Sequence, residues 1–339
     1  MHIIGLVEHP EHVCCRYRLA AYRPALEAEG HTLELRAVPR GFWRRTRFWR
    51  ALRHADVVIL QRKLLACWHL LLLRRHARRL VFDFDDAVFQ RDSYARKPHA
   101  GGSRLRRFTA TVHAADAVVA GNEYLRQQAA RFTSIGRTHV IPTCVDPHRY
   151  PPAEHHRRGD GVQLVWIGSA STAQGLEQAR PLLEHVGRQV PGVRLKLICD
   201  RFPAFDGLPT VPVAWSAATE ACELAAADIG ISWVPDDEWS RGKCGLKVLQ
   251  YMAAGLPVVA NPVGVQAELV RPGVTGYLAA TAAEWVEAVR RLADDPALRQ
   301  RLGRAGRRFV ERHYAVAEGA ERWLRLLRTL APPVQPLAA

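Results

Sequence analysis

Apolar and polar residues alternate along the first half of the chain in a pattern that predicts short strands separated by helices. Strand-like apolar runs occupy residues 2–8, 31–39, 55–61, 78–85, 114–121 and 137–143. The first intervening stretch, residues 17–30, has helical spacing and ends at a glycine. Runs of Val, Ile and Leu separated by helices form parallel sheets that are covered on both faces. This half therefore predicts a Rossmann-like domain.

The pattern stops at residues 151–161, PPAEHHRRGDG, and then starts again. That segment has no apolar periodicity, which is typical of an interdomain linker. Strand-like runs resume at residues 162–169, 193–200, 227–235, 257–264 and 275–280, and the chain is helical from Ala282 to about Leu330. The predicted fold class is α/β, with two Rossmann-like β/α/β domains over residues 1–155 and 160–315.

The segment from Gly242 to Gly276 carries the clearest chemistry. It predicts a loop, a helix from about Gly245, a strand and a glycine turn. A glycine before a helix lets a phosphate approach the backbone N–H groups of the first turn. Lys243 and Lys247 flank that start, so an anion would meet amide dipoles and ammonium groups together.

Here the sequence resembles the family-4 glycosyltransferases of the GT-B fold. The matching residues are Cys244-Gly245-Leu246, Leu249, Met252-Ala253-Ala254-Gly255, Pro257-Val258-Val259-Ala260, Glu268 and Gly273-Val274-Thr275-Gly276-Tyr277-Leu278. Residues 227–235 and 294–314 match as well, and the N-terminal half matches more loosely through DFDDA, AADAVVAGNEYL and HVIPTCVDPHRY. The resemblance covers nearly the whole chain.

The resemblance implies two domains that face each other across a cleft. The first would bind the acceptor and would be joined by a C-terminal helix at residues 316–332. The second would bind a nucleoside diphosphate sugar. The implied reaction moves a hexosyl unit to a glycan or lipid-linked acceptor and retains the anomeric configuration. It also implies polysaccharide biosynthesis as the setting.

Two departures from the family pattern change the expected donor site. The family's two glutamates, eight positions apart, fall on Gly242 and Gln250; Asp237 or Glu238 could replace the first if the loop folds back, and Gln250 can still bond a ribose hydroxyl. The first loop of the second domain begins Gly168-Ser169 and contains no cation. We therefore expect Lys243 and Lys247 to hold the diphosphate, with Gly168, Ser169, Gly245, Leu246 and Gln250 as neighbours of the nucleotide.

The first half offers acidic and basic candidates. In DFDD, residues 83–86, Asp85 or Asp86 could bind acceptor hydroxyls or accept a proton. The alternatives are a divalent metal site, a helix cap or an ion pair with a local arginine. The resemblance places Arg16 and Arg18 opposite the donor phosphates, and a solvated helix turn is the alternative. Because side chains would supply the cations, we expect no metal and no cofactor.

The balance of charged residues indicates which kinds of partner the chain attracts. Lys and Arg number 48 against 33 Asp and Glu, a net charge of +15, so the chain attracts anions such as sugar nucleotides or an anionic membrane. Residues 40–54 are basic and aromatic. On a helix, Phe42, Phe48, Trp49 and Leu52 fall on one side and Arg44, Arg47 and Arg50 on the other. That pattern fits an interfacial membrane helix or a surface helix that packs its aromatic side chains.

Other observations exclude zinc sites and nucleic-acid-binding proteins. The seven cysteines show no zinc spacing, and no signature of nucleic-acid recognition is present. No targeting segment or apolar run of membrane-spanning length is visible, so we expect a cytoplasmic protein, either free or peripheral at the inner face of the cell membrane. A sugar-nucleotide epimerase on the same fold, or a non-catalytic sugar-nucleotide or membrane-binding protein, remains the alternative to a glycosyltransferase.

Overall fold

The computed structural model describes residues 1–39, 41–93, 102–155 and 161–331, with Phe42 described in its backbone alone. Arg40 and residues 156–160 of the predicted linker lie outside the described residues. The chain divides into two compact units. The first comprises Met1–Thr143, Gly242–Cys244 and the segment that begins at Val316, and the second comprises Cys144–Arg241 and Gly245–Ala315.

Each unit contains one parallel sheet, six-stranded in the described residues. The strands of the first are β1 (His2–Val7), β2 (Thr32–Ala37), β3 (Val57–Gln61), β4 (Leu80–Phe84), β5 (Ala117–Ala120) and β6 (Thr138–Val140). Those of the second are β7 (Val162–Ile167), β8 (Val193–Cys199), β9 (Thr210–Ala214), β10 (Ile229–Ser232), β11 (Val258–Ala260) and β12 (Gly276–Leu278). The strand orders are β2-β1-β3-β4-β5-β6 and β12-β11-β10-β7-β8-β9. The prediction of two Rossmann-like α/β domains is confirmed.

Helices connect the strands in both units. Those of the first half are α1 (Val13–Arg18), α2 (Arg23–Ala28), α3 (Phe42–Ala51), α4 (Cys67–His76), α5 (Gly102–Ala114) and α6 (Glu123–Ala130). Those of the second half are α7 (Ala170–Gln178), α8 (Arg180–Gln189), α9 (Glu220–Ala225), α10 (Glu238–Arg241), α11 (Leu246–Ala253), α12 (Gln266–Leu269), α13 (Ala282–Asp294), α14 (Pro296–His313) and α15 (Val316–Leu330). Short 3-10 turns lie at Ala20–Tyr22, Leu52–His54, Ile135–Arg137 and Pro147–Arg149.

The division between the units falls earlier than residues 151–161. Val145 N donates to Tyr314 O at 3.0 Å, and Ala153 N donates to Ala254 O at 2.8 Å. Arg307 on α14 donates to the carbonyl oxygens of Pro147 and Tyr150 at 2.9 and 2.7 Å. These bonds hold the segment after Thr143 to the second unit, although its composition is that of a linker.

The C-terminal helix belongs to the first unit. α15 packs on α2 and on the 3-10 turn at Ala20–Tyr22. It buries Trp323 and Leu327, and Arg322 Nη1 donates to Val140 O at 3.5 Å. The apolar face of α15 therefore completes the core of the unit that contains the chain's first residues.

Each sheet has a point where the strand order reverses direction. In the first sheet it lies between β1 and β3, and in the second between β7 and β10. In open parallel sheets, ligands bind outside the carboxyl ends of the strands at this switch point. The loops to inspect are therefore those that follow β1, β3, β7 and β10.

Candidate active site

In the second unit, the loop after β10 leads to the start of α11 at Gly245. Gly245 has a φ of 68°, in the left-handed region that favours glycine. A Cβ there would lie 2.6 Å from Leu269 Cδ1, so packing also requires glycine. Gly245 brings no side chain to cap α11. The helix start therefore presents backbone to whatever lies beside it, as the sequence predicted for an anion site.

Lys247, in the first turn of α11, lies against Trp166 near the end of β7. Its Nζ is 4.2 Å from the ring centroid, within the range of a cation–π contact. Trp166 is 3% exposed, whereas Lys247 is half-buried. This contact fixes the position of the ammonium group beside the start of α11. A charged lysine is thus held at the switch point of the second sheet.

The loop after β7 lies at the same switch point. A Cβ on Gly168 would lie 2.4 Å from Trp166 Cη2, so glycine leaves room for the indole that carries Lys247. Ser169 is exposed at the start of α7. The next backbone N–H, that of Ala170, donates to Asp200 Oδ1 at 2.6 Å. A carboxylate of the protein therefore already occupies part of this helix start.

Gln250 is buried on α11, and its Nε2 donates to Tyr150 OH at 3.3 Å. Leu246, one turn earlier, is half-buried. Of the two acidic residues that could replace the missing glutamate, Asp237 accepts at Oδ1 from Ser240 N at 2.7 Å, and Glu238 lies in the first turn of α10. The neighbouring Asp236 pairs with Arg241 at 2.9 Å. The loop residue Asp237 therefore acts as a cap.

A buried polar network follows β10 and β11, and the sequence had not indicated it. Ser232 Oγ donates to Gln266 Oε1. Gln266 Nε2 donates to Asn261 Oδ1 at 3.0 Å, and that oxygen also accepts from Val234 N at 3.0 Å. These bonds fix the loop after β10, which leads to Gly245. The available signal was an Asn directly after a buried strand.

In the first unit, Arg18 is completely buried on α1 and pairs with Asp83 on β4. Its Nη1 also donates to Ile141 O at 2.5 Å. Burial raises the pKa of Asp83, and the guanidinium of Arg18 opposes that shift. The geometry favours a structural role for Arg18 over the diphosphate contact expected from the sequence, because the short helix α1 turns this residue inward. Arg16 is half-buried, with Cζ 5.6 Å from the Tyr17 ring centroid.

Arg62 follows β3 and organises the carboxylates after β4. Its Nη2 donates to Asp86 Oδ2, its Nη1 is 3.4 Å from Asp85 Oδ1, and its Nη1 also donates to Cys14 Sγ. Burial raises the pKa of Asp86, whereas Arg62 and then Lys243 oppose that shift. Burial likewise raises the pKa of the Cys14 thiol, so that thiol stays protonated.

The backbone of Arg62 is unusual. Its φ of 56° makes it the one non-glycine residue with positive φ in the described parts of the chain. Such a conformation costs on the order of 1–3 kcal/mol and persists where surrounding contacts impose it. Here Arg62 N donates to Asp83 O at 2.8 Å. The sequence reasoning missed Arg62; the available signal was a basic residue at the carboxyl end of a buried strand.

Asp85 has an incomplete hydrogen-bond shell. Its Oδ1 is buried and accepts no hydrogen bond from the described residues. A buried carboxylate oxygen without a donor costs free energy, so a hydroxyl from a ligand would be favourable there. The side chain is 12% exposed, which gives a ligand limited access. Asp85 therefore suits the role of a hydroxyl acceptor.

Lys243 belongs to the first unit, apart from Lys247. Asn122 caps α6 through Oδ1 and donates from Nδ2 to Lys243 O at 3.0 Å. Cys244 Sγ donates to Asp85 O at 3.2 Å, and burial raises the pKa of this thiol. A Cβ on Gly242 would lie 2.8 Å from Ala87 N, so the packing leaves no room for a glutamate at that position.

The predicted site residues thus form two groups. The first unit holds Arg16, Arg18, Asp85, Asp86 and Lys243, and the second holds Gly168, Ser169, Gly245, Leu246, Lys247 and Gln250. Among the described residues, no cluster of three or more His, Cys, Asp or Glu could hold a metal ion. None of the seven cysteines, which all lie in the described parts of the chain, forms a disulfide.

Comparisons with known proteins agree with these observations. The glycosyl transferase-like family model matches residues 176–325. Alpha-maltose-1-phosphate synthase of Mycobacterium tuberculosis (strain H37Rv) is 29% identical, and the match spans 64% of each chain. The curated relative is therefore matched over less than two thirds of its length.

Solved structures share the fold over almost the whole chain. Sucrose-phosphate synthase from Thermosynechococcus elongatus has a TM-score of 0.73 at 17% identity, covering 97% of this chain and 98% of that one. Anabaena HepE, solved in complex with UDP and glucose, has a TM-score of 0.70 at 14% identity, covering 97% and 100%. The GT-B fold and the resemblance to glycosyltransferases are confirmed.

Proposed function

We propose that this chain transfers a hexosyl unit from a nucleoside diphosphate sugar to a glycan or lipid-linked acceptor. The chain has the fold of the GT-B glycosyltransferases and matches the glycosyl transferase-like family over residues 176–325. The observation that carries the proposal is the start of α11. Gly245 leaves the helix start without a side chain, and Lys247 is fixed beside it on Trp166. Both lie at a switch point, where such sheets bind ligands.

The donor diphosphate binds at this helix start in the proposed reaction. Its charge is favoured by the helix dipole and by Lys247, which stabilise the nucleoside diphosphate as it leaves.

The acceptor is bound by the carboxylates of the first unit. Asp85 accepts a hydrogen bond from an acceptor hydroxyl, and Asp86 draws its proton as the glycosidic bond forms. Arg62 contacts both carboxylates and opposes the rise that burial causes in the pKa of Asp86. The reaction retains the anomeric configuration of the donor sugar and needs no metal, because cationic side chains balance the diphosphate charge.

A panel of ligands tests the proposal. Nucleoside diphosphates and their sugars, starting with UDP and UDP-glucose because HepE was solved with UDP-glucose, are added during thermal unfolding. A binder raises the unfolding temperature. The preferred donor is then incubated with candidate acceptors, and NMR reports the anomeric configuration of the product.

The alternatives give different results in the same assay. A sugar-nucleotide epimerase turns over the donor without an acceptor and yields an isomeric sugar nucleotide. A non-catalytic binding protein is stabilised by the nucleotide and yields neither product. Stabilisation by no nucleoside diphosphate at all would contradict the proposal.

A further inference from the structure

Two helices of the first unit, α3 and α4, pack on each other and expose large apolar side chains beside arginines. Trp43 on α3 is 81% exposed, and on α4 Leu71 is 71% and Trp68 43% exposed. Arg47, Arg50 and Arg75 are also exposed. We call these six residues the α3–α4 surface: Trp43, Arg47, Arg50, Trp68, Leu71 and Arg75.

Spacing along α4 shows that its apolar exposure follows the helix geometry. Trp68, Leu71 and Arg75 are three and four residues apart, so they lie on one face. Leu70 and Leu73 point to the opposite side and are buried. Helix α4 therefore has apolar side chains on the face that packs against the core and also on its solvent-exposed face. Core packing accounts for the first face and leaves the second without an explanation.

Helix α3 and the turn after it bury part of the predicted apolar side: Phe48 is half-buried, and the side chain of Phe42 lies outside the described residues. Trp49 and Leu52 are fully buried, and Arg44, Arg47 and Arg50 are exposed. The buried pair anchors α3 to the unit, which leaves the remaining face for a partner. Trp43 was not part of the predicted apolar side, and it is exposed, as these three arginines are.

Basic residues outnumber acidic ones around these helices. Between Pro39 and Asp83 the sequence contains a single acidic residue, Asp56, which lies 3.4 Å from Arg78, and Arg74 on α4 pairs with Asp116 at 3.3 Å. Burial lowers the pKa of His76 on α4, and the charges of Arg75, Arg50 and Arg53 lower it further. Such a concentration of cations favours an anionic partner.

We propose that the α3–α4 surface binds the anionic surface of a lipid bilayer, with Trp43, Trp68 and Leu71 inserted at the headgroup level and the arginines on lipid phosphates. Tryptophan has an apolar body and a polar N–H, and it favours the membrane interface for that reason. Arginines contribute through the negative potential of anionic headgroups. The surface deepens the proposed function, since it would bring a lipid-linked acceptor to the enzyme.

Apolar insertion separates a bilayer from other anionic partners. A soluble polyanion or nucleic acid would use the arginines and gain little from Leu71. A second copy of this chain would bring equally basic helices, which repel each other. The joint exposure of tryptophan, leucine and arginine therefore favours a bilayer. Among the described residues, no helix is long and apolar enough to cross a membrane.

Vesicle binding tests the proposal without donor or acceptor, so its outcome is independent of the proposed reaction. The full chain is sedimented with vesicles of phosphatidylcholine alone or of phosphatidylcholine with about one third phosphatidylglycerol, at low salt and again at high salt. We expect binding to the anionic vesicles that weakens with salt. Failure to bind anionic vesicles at low salt would overturn the proposal.

Variants assign the binding to this surface. Arg47→Gln with Arg75→Gln should weaken vesicle binding about 25-fold, at about fivefold per arginine. The matched control is Arg301→Gln with Arg304→Gln, two exposed arginines on α14, which should leave binding within about twofold. Equal losses in both pairs would mean that net charge alone is responsible, and this would overturn the assignment.

Apolar variants test insertion. Trp43→Ser with Leu71→Ser should also weaken binding to anionic vesicles, by about tenfold or more, since each burial of a large apolar group is worth over 1 kcal/mol. Ile135→Ser, at a side chain that is 60% exposed elsewhere in the first unit, is the control. Unchanged binding in the Trp43/Leu71 variant, with unchanged thermal unfolding, would reassign the surface to a soluble polyanion.

Discussion

In the first unit, Arg18 after β1 and Arg62 after β3 flank the switch point and pair with Asp83 and Asp86, which belong to β4 and to the loop after it, whereas at the switch point of the second sheet Lys247 lies on a tryptophan ring. The first arrangement compensates charge with charge inside the protein. The second packs a cation on an aromatic ring. Opposite charges that are buried together depend on each other for stability. A cation on a ring can instead be removed with little cost to the fold and direct cost to an anionic ligand.

The largest expected effect is on stability, at the buried pair of the first unit. Arg18→Met leaves Asp83 buried without its partner and should lower the free energy of unfolding by about 3–5 kcal/mol. Urea unfolding measures the loss. Arg36→Met is the control, because that arginine pairs with Glu34 at 2.6 Å on the surface and such pairs contribute about 0–1 kcal/mol.

A double variant sharpens the result. Adding Asp83→Leu to Arg18→Met replaces the ion pair with apolar side chains and should restore much of the lost stability. If Arg18→Met unfolds no more easily than Arg36→Met, the pair is not the structural element described here, and Arg18 returns to the candidates for ligand binding.

The next effect is on transfer, through Arg62. Arg62→Ala frees Asp85 and Asp86 to move and should lower kcat/KM about 100-fold, the loss expected from misplaced reacting groups. Arg62 lowers the pKa of Asp86, so its removal should raise that pKa and move the acidic limb of the pH–rate profile to higher pH. Arg62→Lys should keep the limb near its original position. Arg78→Ala, at an exposed pair with Asp56, is the control.

The backbone of Arg62 gives a second, separate measurement. Arg62→Gly loses the same side chain as Arg62→Ala and accepts the positive φ without strain. It should therefore be more stable than Arg62→Ala by about 1 kcal/mol, with equally poor transfer. Full transfer in Arg62→Gly would remove the side chain from the mechanism.

In the second unit the expected effect moves from stability to ligand binding. Lys247→Ala should weaken nucleoside diphosphate binding by about 1.5–3 kcal/mol, the range for hydrogen bonds to charged groups, and should barely change unfolding. Isothermal calorimetry measures the first quantity and urea unfolding the second. Lys63→Ala, at a partly exposed lysine that lies 3.8 Å from Glu8, is the control. Unchanged affinity in folded Lys247→Ala would move the donor site away from α11.

The regularity of the fold explains how much of it the sequence predicts. Two series of apolar runs separated by helices specify two parallel sheets, because period and residue type follow from local geometry. Gly245 was predictable for the same reason, since a glycine before an apolar helix marks its start. The segment after Thr143 was not, because a Pro- and His-containing stretch resembles a linker until Arg307 binds its carbonyl groups.

The candidate site was predictable where it depends on position along the chain and unpredictable where it depends on packing. Asp85 and Asp86 follow a buried strand, so sequence alone places them at an edge. The inward turn of Arg18, the left-handed backbone of Arg62 and the tight approach of Gly242 to Ala87 arise from contacts between distant segments. No local pattern encodes such contacts.

The smallest expected effect is that of metal removal on donor binding and transfer. A divalent ion needs several oxygen ligands, and although Asp85 Oδ1 accepts no hydrogen bond from the described residues, Asp83 pairs with Arg18 and Asp86 with Arg62. On the donor side, Lys247 and the helix start supply the positive charge that a metal would otherwise bring to the diphosphate. Transfer in excess EDTA should therefore equal transfer in manganese or magnesium, within about twofold, a difference of roughly 0.4 kcal/mol. Activity that disappears with EDTA and returns with manganese would show that the carboxylates of DFDD exchange their arginine partners for a metal. The contrast between ion pairs in the first unit and a lysine on a ring in the second would then be wrong.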